Sequence, residues 1–155
     1  MKKILNLSSL CFVGLFFWSN VHAVTMELKD PCHPDEIIKE DLHPGQLPVT
    51  AGALTLDFFK KVGVPFQGNE AGIQSVFGSP TGDDALVVIN DEQMKAYGWC
   101  YRVNGKLPDV YMDQFKINRD DDHIEWFFGY SFYDRGEWKD YCTPATKDGP
   151  VYYCR

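Results

Sequence analysis

The chain has 155 residues, a formal net charge of −7 and an aromatic content of 15%. That length gives one domain with a real core but not comfortably two. Its acidity argues against nucleic acid or anionic lipid as a partner, both of which need clustered Lys and Arg.

Lys2 and Lys3 precede a hydrophobic run from Leu10 to Trp18, and Ala23 suits a small-residue cleavage position. This pattern predicts a signal peptide over residues 1–23, and its apolar core is shorter than the roughly 20 residues of a spanning helix. A periplasmic or secreted chain without stable membrane insertion is the expectation. Losing Cys11 with the leader leaves Cys32, Cys100, Cys142 and Cys154, an even count that implies disulfides in an exported protein. Parity does not choose among the three pairings. The expected return of a later strand beside Cys100, with Cys142 following it, favours Cys100–Cys142 with Cys32–Cys154.

After the leader, residues 24–46 read as an N-terminal strand and an irregular segment. Val24 to Asp30 alternates apolar and polar, and Pro31 to Pro48 is rich in proline and charge, with a short strand at Ile37-Ile38. A helix is expected from Thr50, because Leu54, Phe58 and Val62 recur every four residues. Lys60 and Lys61 suit its C-terminal dipole, Gly63 stops it, and Pro65 restricts Val64. Gly72–Phe77 and Ala85–Ile89 read as partner strands around a turn at Ser79–Gly82, and Asp91–Tyr97 as a helical turn closed by Gly98.

The following stretch, Tyr97 to Phe128, holds two aromatic strands. Strand parity puts Trp99, Tyr101 and Val103 on one face and Cys100, Arg102 and Asn104 on the other. Asn104-Gly105 supplies a turn, and Ile124, Trp126, Phe128, Tyr130 and Phe132 form a second apolar row. One good helix among several strands predicts an α+β domain, a β-grasp-like mixed sheet covered by one main helix, with a disulfide-tied C-terminal extension. Leu54, Phe58 and Val62 should oppose Trp99, Tyr101, Ile124 and Trp126.

The motif Gly98-Trp99-x-Tyr101-x-Val103-Asn104-Gly105, followed after an acidic turn by Asp122-x-Ile124-x-Trp126, resembles the transcobalamin-like C-terminal domain family. The resemblance spans about Leu47 to Tyr130, within an expected domain at 47–155. It implies a β-grasp of the soluble-ligand-binding kind, as in cobalamin carriers, and a small planar ligand such as a corrinoid. The carriers' large helical domain has no room here, and the matching residues look architectural. This chain also departs from the family pattern in its cysteines and in the aromatic segment after Tyr130.

Fifteen of the chain's 23 Phe, Trp and Tyr residues lie between Tyr97 and Tyr153, more than one face of a small sheet buries. Tyr130, Tyr133, Trp138 and Tyr141 therefore stand as ligand-binding residues for a small molecule, glycan or protein. The bland reading is that the tail folds back and uses them as a second small core. Asp120–Asp122 beside His123 lacks the spacing of a calcium loop and is expected to be a solvated turn. Asp134–Glu137 is expected to be a hairpin turn. No metal site, cofactor or catalytic residue is expected: there is no nucleophile elbow, metal-spaced histidine pair or phosphate loop, and His33, His43 and His123 lie apart in sequence.

Overall fold

The computed structural model describes residues 23–148 and 151–154. The expected leader, apart from Ala23, lies outside the described residues. The helix forms where its spacing places it, α1 (Ala51–Val62). The Thr50 hydroxyl caps it by accepting from Ala53 N at 3.0 Å. Gly63 ends it in the left-handed conformation (φ 72°) with its N–H on Phe59 O, a geometry that favours glycine because no Cβ opposes it.

Beneath the helix lies a six-stranded mixed sheet in the order β2 (Ile37–Leu42), β1 (Val24–Lys29), β9 (His123–Asp134), β7 (Gln93–Val103), β6 (Leu86–Asn90). The sixth strand, β10 (Glu137–Pro144), also pairs with β9. Two-stranded ribbons, β3 (Val49–Thr50) with β8 (Lys116–Ile117) and β4 (Phe66–Asn69) with β5 (Gly72–Val76), flank it. The fold is thus α+β, with β9 as its spine. β7 runs antiparallel along one edge of β9, and the other edge is shared. Parallel β1 takes its first part (Thr25 opposite His123 through Leu28 opposite Trp126), and antiparallel β10 takes the part from Gly129 onward.

The aromatic strands follow the expected parity. Trp99 and Val103 from β7, Ile124, Trp126 and Phe128 from β9, and Leu54, Phe58 and Phe59 from α1 are buried in one cluster, each large side chain contributing about 1.5–3 kcal/mol. Tyr101 and Val62 pack against it half-buried. At its centre the Trp126 indole N–H donates to Thr55 Oγ1 at 3.0 Å, both residues essentially inaccessible. Asn104 and Gly105 make the expected tight turn, both with positive φ, and Arg135-Gly136 does so between β9 and β10.

Four local expectations are corrected. Gly72–Val76 pairs with Phe66–Asn69, not with the strand at 86–90; the two-residue turn at Glu70-Ala71 closes a local hairpin first, helped by Ala71 N on Asn69 Oδ1 at 2.9 Å. Asp91–Tyr97 is no helical turn. The Asn90 side chain accepts from Glu92 N at 2.9 Å and folds a reversal there, so residues from Gln93 onward extend β7 beside β6 and β9. The strand at Ile37-Ile38 reaches Leu42, because every one of its residues finds a partner on β1. Asp122 is likewise not solvated. It is buried and accepts from Asn104 Nδ2 at 2.8 Å and from Arg119, tying the Asn104 turn to the start of β9.

Both disulfides take the favoured pairing, Cys32–Cys154 and Cys100–Cys142. Between Lys139 and Thr143 the register of β10 breaks, with Asp140 and Cys142 at positive φ. This bulge brings Cys142 to Cys100, one strand beyond β9. The crossing needs Gly129, where an added Cβ would lie 2.9 Å from Thr143 O and 3.5 Å from Cys100 Sγ.

Candidate functional site

The most built feature outside the core follows from a length mismatch between strands. β6 pairs with β7 only as far as Ala96, whereas β9 accompanies β7 to Val103. Beyond Ala96 no strand among the described residues pairs with the outer edge of β7, and its outward backbone groups need other partners. After the Asn104-Gly105 turn the chain returns along this edge as a loop. Met112, 2% exposed, anchors that loop, and the Met112 and Phe115 carbonyls accept from Gly52 N and Ala51 N, both at 2.9 Å. These bonds satisfy N–H groups of the first helical turn. The Tyr101 hydroxyl donates to Val110 O at 3.2 Å, joining strand to loop. Burial, then the nearby Asp113 charge, pushes that phenol up to about 12, so it stays a neutral donor through the physiological range.

The result is a groove of about 620 Å³ with Trp99, Cys100 and Tyr101 along β7, Leu107 to Tyr111 from the loop, and Tyr141 with Cys142 from the β10 bulge. Its lining is largely apolar; Asp109 is the one charged residue among the described residues that line it. Tyr111 is 70% exposed and Tyr141 64%, so two segments thirty residues apart each present an open aromatic ring to one groove. The Cys100–Cys142 bridge holds the Tyr141 side in place. A largely apolar concavity with a few polar groups and free aromatic faces suits a flat ligand.

The four aromatic residues expected from sequence do not form one surface. Tyr130 is buried in a front-face cluster, 5.5 Å from the Tyr97 ring and with Lys95 Nζ 4.2 Å above its own. Tyr152 and Tyr153, brought back by Cys32–Cys154, complete that cluster against Tyr97 and Phe128. Tyr133 and Trp138 face each other across β9 and β10 at 5.3 Å. Only Tyr141 joins the groove. Tyr111, Leu107, Pro108 and Val110 are missed by sequence reasoning because the loop has neither strand nor helix periodicity; its apolar residues in a non-periodic segment are the available signal.

Among the described residues, Asp30, His33 and Glu36 place one potential ligand atom each within 4.8 Å of one another. The Asp30 carboxylate is already engaged by Cys32 N at 2.8 Å and His33 Nδ1 at 2.9 Å. Donating a hydrogen bond to the Asp30 carboxylate raises the His33 pKa, which favours the proton over a metal. His123 turns elsewhere, with Nε2 3.3 Å from Glu27 Oε2.

A family described as a domain of unknown function (DUF4430) matches residues 73–129. The matched segment runs from β5 to the middle of β9 and carries the β7 edge and the loop wall of the groove; Tyr141 and Cys142 lie beyond it. A crystal structure of a Ruminococcus gnavus protein proposed to bind metal is similar at 19% identity and a TM-score of 0.41, covering 69% of this chain and 95% of that one. No curated protein matches the chain. Fold and groove together define an α+β, doubly disulfide-linked chain with an open strand edge, similar to that domain of unknown function over residues 73–129. No helix among the described residues is long and apolar enough to cross a membrane.

Proposed function

We propose that this protein is an exported, non-catalytic binding module, periplasmic or secreted, whose ligand lies in the groove beside the open edge of β7. The observation that carries this reading is the pair of exposed tyrosines, Tyr111 and Tyr141, lining one largely apolar groove. A small planar molecule would stack on those rings beside the part of the β7 edge that β6 does not reach. The resemblance to the transcobalamin-like C-terminal domain makes a corrinoid the first ligand to try. Calorimetry of the oxidised protein with cobalamin and cobinamide should give saturable binding that Tyr111→Ala and Tyr141→Ala each weaken. No heat with any corrinoid at high protein concentration removes that ligand. Binding that both substitutions leave intact removes the groove.

A protein or glycan partner is the second reading. It is favoured by Trp138, 40% exposed against Tyr133, and by the edge strand β6, where Leu86, Val88 and Ile89 face solvent. Pull-downs in which Tyr133→Ala, Trp138→Ala and Val88→Lys change no captured partner would count against it.

A further inference from the structure

A separate pocket of about 290 Å³ lies on the sheet face away from the helix, where the end of β1, the middle of β9 and the end of β10 meet. Its charged groups are Lys29, Asp30, Arg102 and Glu125, and Pro31, Pro34, Ile37 and Pro144 are among its apolar ones. Arg102 and Glu125 are cross-strand partners on β7 and β9, but the guanidinium comes no nearer than 4.0 Å to Glu125 Oε2, beyond hydrogen-bonding reach. Instead it stacks on the Phe127 ring at 4.3 Å. The Arg102 side chain is 27% exposed, and among the described residues it donates no hydrogen bond. A largely buried guanidinium held flat on an aromatic ring, with its donor fork unused, is preorganised for a carboxylate.

Glu125 complements it. Its Oε1 is taken by Lys29 Nζ at 2.7 Å, while among the described residues Oε2 has only Arg102, at 4.0 Å, beside it. The four charges among its described lining residues sum to zero, so a ligand of net zero charge fits better than a lone anion or cation, and a ligand bearing both charges uses both groups. The proline-rich wall suits an apolar body, and the volume is near the lower limit for ligand pockets. We propose that this pocket binds a free α-amino acid with an apolar side chain, its carboxylate on the Arg102 fork, its ammonium on Glu125 Oε2 and its side chain among Pro31, Pro34 and Pro144. The site is distinct from the groove beside β7 and does not depend on the reading of that groove.

The test is calorimetric titration of the oxidised protein with L-leucine and L-phenylalanine. Saturable binding is expected, weakened roughly tenfold or more for phenylalanine methyl ester and for 3-phenylpropionate, which lack the carboxylate charge and the ammonium respectively. Arg102→Gln should weaken it similarly, and Glu125→Gln should erase the preference for phenylalanine over 3-phenylpropionate. Tyr111→Ala should leave it unchanged. Absence of heat with either amino acid at about 10 mM, a dissociation constant too weak to matter at that scale, overturns the assignment. Equal binding of the ester or of 3-phenylpropionate to the unaltered protein does so independently of whether any variant folds.

Discussion

Removing the Cys100–Cys142 bridge by Cys100→Ala with Cys142→Ala separates what the cross-link does for stability from what it does for the groove. The bridge closes a loop of 42 residues inside the 122 spanned by Cys32–Cys154. Chain entropy assigns the inner bridge about 4 kcal/mol at 25 °C. With the inner bridge in place the outer loop is effectively shortened to about 80 residues, and its bridge is worth about 4.5 kcal/mol on the same basis. Guanidinium unfolding of the two double-alanine variants should therefore show similar losses. Their local effects should differ. Hydrogen exchange should accelerate at the β10 amides around Tyr141 when the inner bridge is removed. It should accelerate around Tyr152 and Tyr153 when the outer one is. A loss below about 1 kcal/mol on removing Cys100–Cys142 would refute the reasoning. It would mean that pairing of β10 with β9 already confines the unfolded chain, or that the native bulge is strained enough to offset the entropic gain.

Thr55→Val keeps the shape of the side chain but strips the buried Trp126 N–H of its acceptor, at a cost of about 1–3 kcal/mol in urea unfolding; in a Trp126→Phe background the same change should cost close to nothing, and an equal cost there would show that the hydrogen bond is not the cause. Gly129→Ala puts a Cβ against the Thr143 carbonyl and the Phe127 ring, so a destabilisation of about 1–3 kcal/mol and a slower return of the Cys100–Cys142 bridge on reoxidation are expected, with thiol titration as the readout. Asp134 accepts from Gln93, Arg135 and Lys139, and these hydrogen bonds, Gln93's foremost, hold its carboxyl well below the ordinary 3.8. A depressed folded pKa means stability present above the unfolded value and lost as pH falls through the folded one. NMR titration should find Asp134 still ionised below pH 3.8, and Asp134→Asn should lessen the acid dependence of unfolding; a carboxyl midpoint at or above 3.8 contradicts this.

Local chemistry makes the helix and the aromatic strands legible in the amino-acid order. The four-residue spacing of Leu54, Phe58 and Val62, the Thr50 cap and the Gly63 stop are all written within one short segment. So is the alternation that sends Trp99 and Tyr101 to the core and Cys100 to the opposite face, since strand parity is a property of the backbone alone. The favoured disulfide pairing holds as well, although Cys142 lies on β10, one strand beyond β9, and reaches Cys100 only through the bulge. Partner choice is not legible. Gly72–Phe77 and Ala85–Ile89 read as strands and strands form there, at Gly72–Val76 and Leu86–Asn90, yet each has a nearer partner across its own tight turn, and the closest reversal closes at the lower entropic cost. Likewise, nothing local tells Asp91–Tyr97 that β7 continues through it, because the partners of Gln93 and Lys95 include Asp134 and Tyr130 on distant β9.

The sequence by itself thus determined an α+β chain with one covering helix, an aromatic sheet face and two cross-links. Tertiary structure alone decided where a ligand could sit. Tyr111 and Tyr141 share a groove because β6 pairs with β7 only as far as Ala96 and a bulge turns β10 toward Cys100, and Arg102 lies flat on Phe127, donating no hydrogen bond among the described residues. Both arrangements depend on which strand edges and charges are left over after pairing, and such remainders are set by the whole assembly of strands, not by the pattern within any one of them.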